Sequence, residues 1–157
     1  SGSPLPSSLG TRAKDGRSGA DYPIFPSIAV DGASSGNPGM CEYRGVNADS
    51  HEVIFASQQF FGTNNSAEFL AIVHALAFLK QRNLSLPIYS DSKIAMSWVR
   101  QKVCKTKVPH TPHNEKIFEL IARAERWLHQ NTYPNPILKW ETQAWGENPA
   151  DFGRKDT

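Results

Sequence analysis

Two short apolar runs in this chain each close on an aspartate. "PSIAVD" ends at Asp31 and "LPIYSD" ends at Asp91. Both read as short strands, the first buried on its two sides. A strand of that kind has little use for a carboxylate unless its end is a working edge. If the two strands are parallel neighbours, both acids emerge at the carboxyl edge of the sheet, where open α/β sheets hold their ligands.

The remaining pattern supplies the sheet and its covering. "MCEYRGV" and "HEVIFASQQFF", joined by the turn "NADS", are expected to form an antiparallel meander with the first strand. "NNSAEFLAIVHALAFLKQRN" repeats apolar residues at Phe69, Ile72, Val73 and Leu76, the spacing of an amphipathic helix. Asn65 and Glu68 resemble a capping box at its start. "DSKIAMSWVRQK" is a second helix. "NEKIFELIARAERWLHQ" is a third, with Ile117, Leu120, Ile121, Ala124 and Leu128 on one face. "PILKWET" is a last strand, and "NPADFGRK" is read as one helical turn starting near Pro149. Strands followed by alternating strands and helices predict an α/β domain. Its sheet would be five-stranded and mixed, three antiparallel strands then parallel ones, with helices on both faces.

Residues 1–24 are rich in Ser, Gly, Pro and charge and lack a periodic apolar face. They read as a flexible linker or tail ahead of one domain over 25–157. The net charge of +2 is too small to argue nucleic-acid binding from the total, so that case needs local clustering. Cys41 and Cys104 form no C-x-x-C pair, and no apolar run is long enough to span a membrane. The expectation is a cytoplasmic protein with no membrane contact.

Two further acids stand at expected helix starts, Glu68 and Asp151. Each of the four has a plain structural reading. Asp31 can close an Asx-turn, and Glu68 can serve a capping box. Asp91 can be a helix N-cap, and Asp151 can favour a helix dipole. Those readings leave unexplained why all four would meet at one edge.

"DGASSGNPG", "TNNSAE", "YSDS" and "NPAD", in that order and spacing, resemble type 1 ribonuclease H, from about Pro26 onward. The resemblance implies a ribonuclease H-like fold. It also implies an endoribonuclease that hydrolyses the RNA strand of an RNA–DNA hybrid, leaving 5′-phosphate and 3′-hydroxyl ends. Asp31, Glu68, Asp91 and Asp151 match that family's catalytic, metal-binding carboxylates, which hold two Mg²⁺ ions, with Mn²⁺ as a substitute. The chemistry agrees. Crowded carboxylates raise one another's pKa, and two divalent cations balance four negative charges. Oxygen ligands suit hard cations, and a metal pair can clamp a scissile phosphate.

The resemblance also implies a substrate surface. Gly32, Ala33 and Ser34 lie in the first motif, whose glycines allow close approach of a nucleic-acid strand. Asn37, Asn64 and Asn65 match residues that contact minor-groove edges and ribose 2′-hydroxyls, the group that separates RNA from DNA. Thr63 matches a position that grips a DNA-strand phosphate. Lys102, Lys105 and Lys107 belong to a stretch with no acid among its cations, suited to duplex phosphates. An ordinary solvated face is the plain alternative for these lysines. Trp98 reads as a core residue or as a stacking platform. A monomer is expected, and some relatives carry an additional nucleic-acid-binding domain N-terminal to such a linker.

One departure stands out. The family's G-H-x-G loop before the last acid is replaced by "ETQAWGENPAD", which has no His. Gln143 or Glu147 is the candidate for that place. Gln cannot titrate near neutrality, so a His-dependent step must differ. A hybrid-binding module with weak or no catalysis is therefore an alternative reading. A resolvase- or integrase-like nuclease is another, which the Asn37, Asn64 and Asn65 set argues against. Cys104, His110 and His113 have an unfamiliar spacing for zinc and read as a polar loop.

Overall fold

A computed structural model describes residues 22–152. The elements in chain order are β1 (Ile28–Ser34), β2 (Gly39–Asn47), β3 (Val53–Ala56), β4 (Phe60–Gly62), α1 (Asn64–Gln81), β5 (Ile88–Ser90), α2 (Lys93–Gln101), α3 (Glu115–Gln130), β6 (Ile137–Lys139) and α4 (Thr142–Trp145). A 3₁₀ turn, Pro112–Asn114, leads into α3.

The sheet order is β3-β2-β1-β5-β6, with β4 also pairing β2. The β1–β2, β2–β3 and β2–β4 pairs are antiparallel, whereas β1–β5 and β5–β6 are parallel. The expected α/β mixed sheet is therefore present. It has six strands because "HEVIFASQQFF" breaks at Ser57–Gln59 into β3 and β4, both laid against β2. From β1 the chain moves one way to β2 and β3, then returns through α1 to β5 on the other side. A crevice at the carboxyl ends of β1 and β5 follows from that reversal.

Ile28, Ala29 and Val30 are at most 1 % exposed, because β1 is central and covered on both sides. Ile28 and Val30 join the main core with α1, α2 and α3, while Ala29 joins a smaller cluster on the other face. That second face is covered by Ile24, Phe25 and Trp145 of α4, packed with Tyr89 and Trp140. Ile24 also donates its amide to the Tyr89 hydroxyl at 2.8 Å, so it belongs to the folded body. Most of the tail expected over 1–24 lies outside the described residues.

Helix α1 is more buried than an amphipathic surface helix. It packs on β1, β2 and β5 and also against α2 and α3, which is why it is apolar around most of its circumference. Glu68 is a carboxylate within this buried helix. By contrast α3 buries one stripe, Ile117, Ile121, Ala124 and Leu128, as its spacing predicts. Among the described residues no helix is long and apolar enough to cross a membrane.

Candidate active site

The sheet register brings the first two acids together. Ala29 pairs with Tyr89 in the parallel β1–β5 ladder. Asp31 and Asp91 each lie two residues further on, at one level of the same edge. Strand β1 does not stop at Asp31, as the apolar run suggests, but continues to Ser34 with Asp31 opposite Arg44 of β2. Asp31 is therefore a ladder residue, not the start of an Asx-turn.

Glu68 arrives from α1. The helix is capped by Thr63, whose hydroxyl accepts from the Ser66 amide at 3.2 Å, while Ser66 Oγ accepts from the Thr63 amide at 3.0 Å. The capping box is thus Thr63 and Ser66, not Asn65 and Glu68. Ser66 satisfies the amide that a capping carboxylate would have taken, so Glu68 is released from that duty. Asp91 is likewise not the cap of α2. Ser92 is, accepting from the Ala95 amide at 3.1 Å.

Asp31, Glu68 and Asp91 each offer an oxygen within 4.8 Å of the others, and this is the one such group among the described residues. Asp31 is 7 % and Glu68 3 % exposed. Burial pushes Asp31 up to about 7, with Asp91 and Asp151 adding to the rise and the hydrogen bond with Glu68 opposing it. Burial, then Asp31, raises Glu68 well above the carboxylate range. The hydrogen bond the two carboxyls share requires a proton between them, and it opposes the rise at Asp31 while adding to that at Glu68. Burial also raises Asp91, opposed by a hydrogen bond from Asn148 and the charge of Lys139. Glu68 Oε1 is buried without a hydrogen-bond partner. A buried orphan carboxylate oxygen beside two more carboxylates is a donor set that fits a hard divalent cation.

Asp151 stands near enough to raise Asp31 and Asp91 electrostatically, though outside the close group of three. The helical turn expected from Pro149 is not formed among the described residues. Residues 148–151 make a hydrogen-bonded turn, in which the Asp151 amide donates to the Asn148 carbonyl at 2.9 Å. Asn148, 4 % exposed, was not singled out by sequence reasoning. Its Nδ2 donates to the Val30 carbonyl at 3.0 Å and approaches Asp91 Oδ2 at 3.4 Å, and its Oδ1 accepts from the Ala150 amide at 2.8 Å. The β1–β5 register ends at the Ala29–Tyr89 pair, and beyond it the Val30 carbonyl takes its donor from Asn148.

An open groove of about 620 Å³ is lined by Asn37, Thr63, Asn65, Trp98, Lys105 and Lys107 with their neighbours, and Asn64 is not in its wall. Asn37 Oδ1 accepts from the Asn64 amide at 2.8 Å, which ties the glycine loop to the start of α1. Trp98 is half-buried, touching the core on one side and lining the groove on the other. Lys102 lies apart from this lining, as the left-handed C-cap of α2. Ala33 and the half-buried Ser34 are not in the groove wall either; Ser34 Oγ hydrogen-bonds within the loop to Gly36. Gly32 is buried, and a Cβ there would sit 2.9 Å from Ala67 Cβ. Its lack of a side chain serves the close approach of α1 to β1.

Gln143 lies on α4 and Glu147 beyond it, both exposed, and neither belongs to the acid group. The Cys104, His110 and His113 set does not converge as ligands. The Cys104 amide donates to Glu125, His110 pairs with Glu115, and His113 meets the Phe61 ring edge-on.

The RNase H family model matches residues 26–139. The chain belongs to the RNase H family. A ribonuclease H from Neorickettsia sennetsu is 31 % identical over 129 residues, which is 71 % of this chain and 85 % of that relative. One from Polynucleobacter asymbioticus is 36 % identical over 75 residues, 47 % of this chain and 48 % of the relative. Among solved structures, LC11-RNase H1 isolated from compost is 22 % identical with a TM-score of 0.48, covering 76 % of this chain and 87 % of its own. The N-terminal RNase H domain of a Mycobacterium tuberculosis protein is 23 % identical with a TM-score of 0.45, covering 73 % and 86 %. Membership of the RNase H family makes the chain a hydrolase of the ribonuclease H class. The family match takes in Asp31, Glu68 and Asp91 and ends ahead of the turn that carries Asp151.

Proposed function

We propose that this RNase H hydrolyses the RNA strand of RNA–DNA hybrids with two divalent ions, Mg²⁺ or Mn²⁺ in its place, and leaves 5′-phosphate and 3′-hydroxyl ends. The observation that carries the reading is the convergence of Asp31, Glu68 and Asp91 with Glu68 Oε1 unpartnered. Asp31, central in the sheet, would hold the ions together with Glu68, Asp91 and Asp151. When bound, the ions supply Lewis acidity to the attacking water and to the leaving oxygen.

The chain's own residues prepare that site. Burial of Asp31 and Glu68 keeps bulk water from these two carboxyls and leaves them poised to exchange a proton for a cation. Asn148 orients Asp91 and the turn of Asp151 together. Asn37, Asn64 and Asn65 would contact the ribose 2′-hydroxyls, a reading supported by Asn37 and Asn65 in the groove wall and by the bond that ties Asn37 to Asn64. Lys105 and Lys107 offer charge to duplex phosphates along the groove. Every group comes from one chain, so a monomer suffices.

The test is incubation with labelled RNA–DNA hybrid, with Mg²⁺ and with chelator, for the wild type and Asp31→Asn. Cleavage that needs the metal and is lost in the variant, with hybrid binding retained, supports the reading. Hybrid binding without metal-dependent cleavage by the wild type would replace it with the binding-module alternative. That alternative is motivated by the absence of a His in residues 141–151.

A further inference from the structure

The backbone around Asp151 has no helix to hold it among the described residues, and side chains take that role, Asn148 at one end of the turn and Arg44 at the other. Arg44 reaches across from β2. Its Nε donates to the Ala150 carbonyl at 2.8 Å and its Nη2 donates to the Asp151 carbonyl at 2.6 Å. Its guanidinium lies 4.8 Å from the centroid of the Phe152 ring. Three consecutive residues, with Asp151 in the middle, are thus gripped by one planar cation. Two parallel donors set on successive carbonyls require the guanidinium fork; an ammonium is a single point of attachment.

Arg44 is itself fixed by strand register, because it is the Cα partner of Asp31 in the antiparallel ladder. The strand pair that places the central carboxylate therefore also places the clamp on the fourth. Asn148 secures the other end of the same turn on Val30 and Asp91.

We propose that Arg44 is a positioning residue that sets the Asp151 carboxylate beside Asp31, so that the fourth ligand depends on a guanidinium in β2. This rests on the reading of Asp31, Glu68, Asp91 and Asp151 as cation ligands. A merely stabilising arginine would raise the melting temperature and leave cation binding alone. A positioning arginine acts on the cation through Asp151 and has no effect once Asp151 cannot ligate.

The test is calorimetric titration of the full chain with Mn²⁺. It compares the wild type, Arg44→Ala, Arg44→Lys, Asp151→Asn and the double variant Arg44→Ala/Asp151→Asn, each checked for folding by circular dichroism. Partners that orient ligands typically shift metal affinity about 10–100-fold, so Arg44→Ala is expected to weaken Mn²⁺ binding within that range. The double variant should bind no more weakly than Asp151→Asn, since the two changes act through one group. Arg44→Lys should fall between Arg44→Ala and the wild type. Wild-type affinity in Arg44→Ala alongside weakened Asp151→Asn overturns the Arg44 inference alone, as does a further independent loss in the double variant. Undiminished affinity in Asp151→Asn removes Asp151 from the ligand set and takes this inference with it. Should Arg44→Ala fail to fold, Arg44→Lys decides: wild-type affinity overturns the inference and weakened affinity supports it.

Discussion

Asp31 and Arg44 stand directly opposite one another in the β1–β2 ladder. Asp31 points a carboxylate into the acid cluster, and Arg44 points a guanidinium onto the carbonyls of Ala150 and Asp151. One antiparallel pair thereby sets the position of two acids far apart in sequence. Glu68 and Asp91 come to it from the start of α1 and from the end of β5.

The cluster makes the metal-free protein sensitive to alkali. Burial raises Asp31, Glu68 and Asp91 above their unfolded values. For a carboxyl with a raised folded pKa, the contribution to stability is complete below the unfolded value, about pH 4. It is lost as pH rises through the folded value, here about 7 for Asp31. In chelator, Asp31→Asn should exceed the wild type in unfolding free energy by roughly 2–4 kcal/mol at pH 8 and match it near pH 4. Added Mg²⁺ at pH 8 should restore the wild type far more than the variant. Denaturant titrations at the two pH values measure both; an identical pH dependence for the two proteins would count against the buried cluster.

Asn148→Ala leaves the Val30 carbonyl buried without its donor and loosens the turn at Ala150. The expected loss is about 1–3 kcal/mol in stability. Cleavage should fall at least about tenfold, because Asp91 loses its orienting amide. Parallel melting and single-turnover measurements separate these effects.

Gly32→Ala drives a methyl group toward Ala67 Cβ at 2.9 Å and the Glu68 amide at 3.1 Å. The obstruction is backbone and a short side chain, so β1 and α1 must part. A stability loss of about 1–3 kcal/mol is expected, with lower kcat, since Asp31 and Glu68 ride on the two elements being separated. Unchanged kcat would show that the α1–β1 spacing does not set the site.

Lys105→Ala/Lys107→Ala should raise KM for hybrid and leave kcat within about twofold, because the pair lines a groove whose wall contains none of the four acids. The log–log dependence of affinity on salt should become shallower by about 1–2. A salt slope equal to that of the wild type would place the phosphates elsewhere.

The parts of this molecule legible in the sequence are those set by local pattern. The adjacency of Asp31 and Asp91 follows from two buried runs and the rule for parallel strands, and the face of α3 from its period. Less legible were boundaries. Thr63, not Asn65, caps α1 because the chain leaves β4 only at Gly62, and several polar residues in a row could each have served. The polar break at Ser57–Gln59 divides what read as one strand. Helix α1 looked amphipathic over one face, yet its other faces are packed too. Arg44 was invisible because its meaning lies in carbonyls 106 and 107 residues away, and a carbonyl has no signature in sequence. Asn148 could have been found, since an Asn before Pro and Ala marks a turn, but its bond to Val30 is a tertiary fact.

The most direct measurement is anomalous diffraction from crystals soaked in Mn²⁺. Density for the ion should appear between Asp31, Glu68 and Asp91, with Asp151 turned toward it. Crystals saturated with Mn²⁺ that show no ion at these carboxylates would contradict the account.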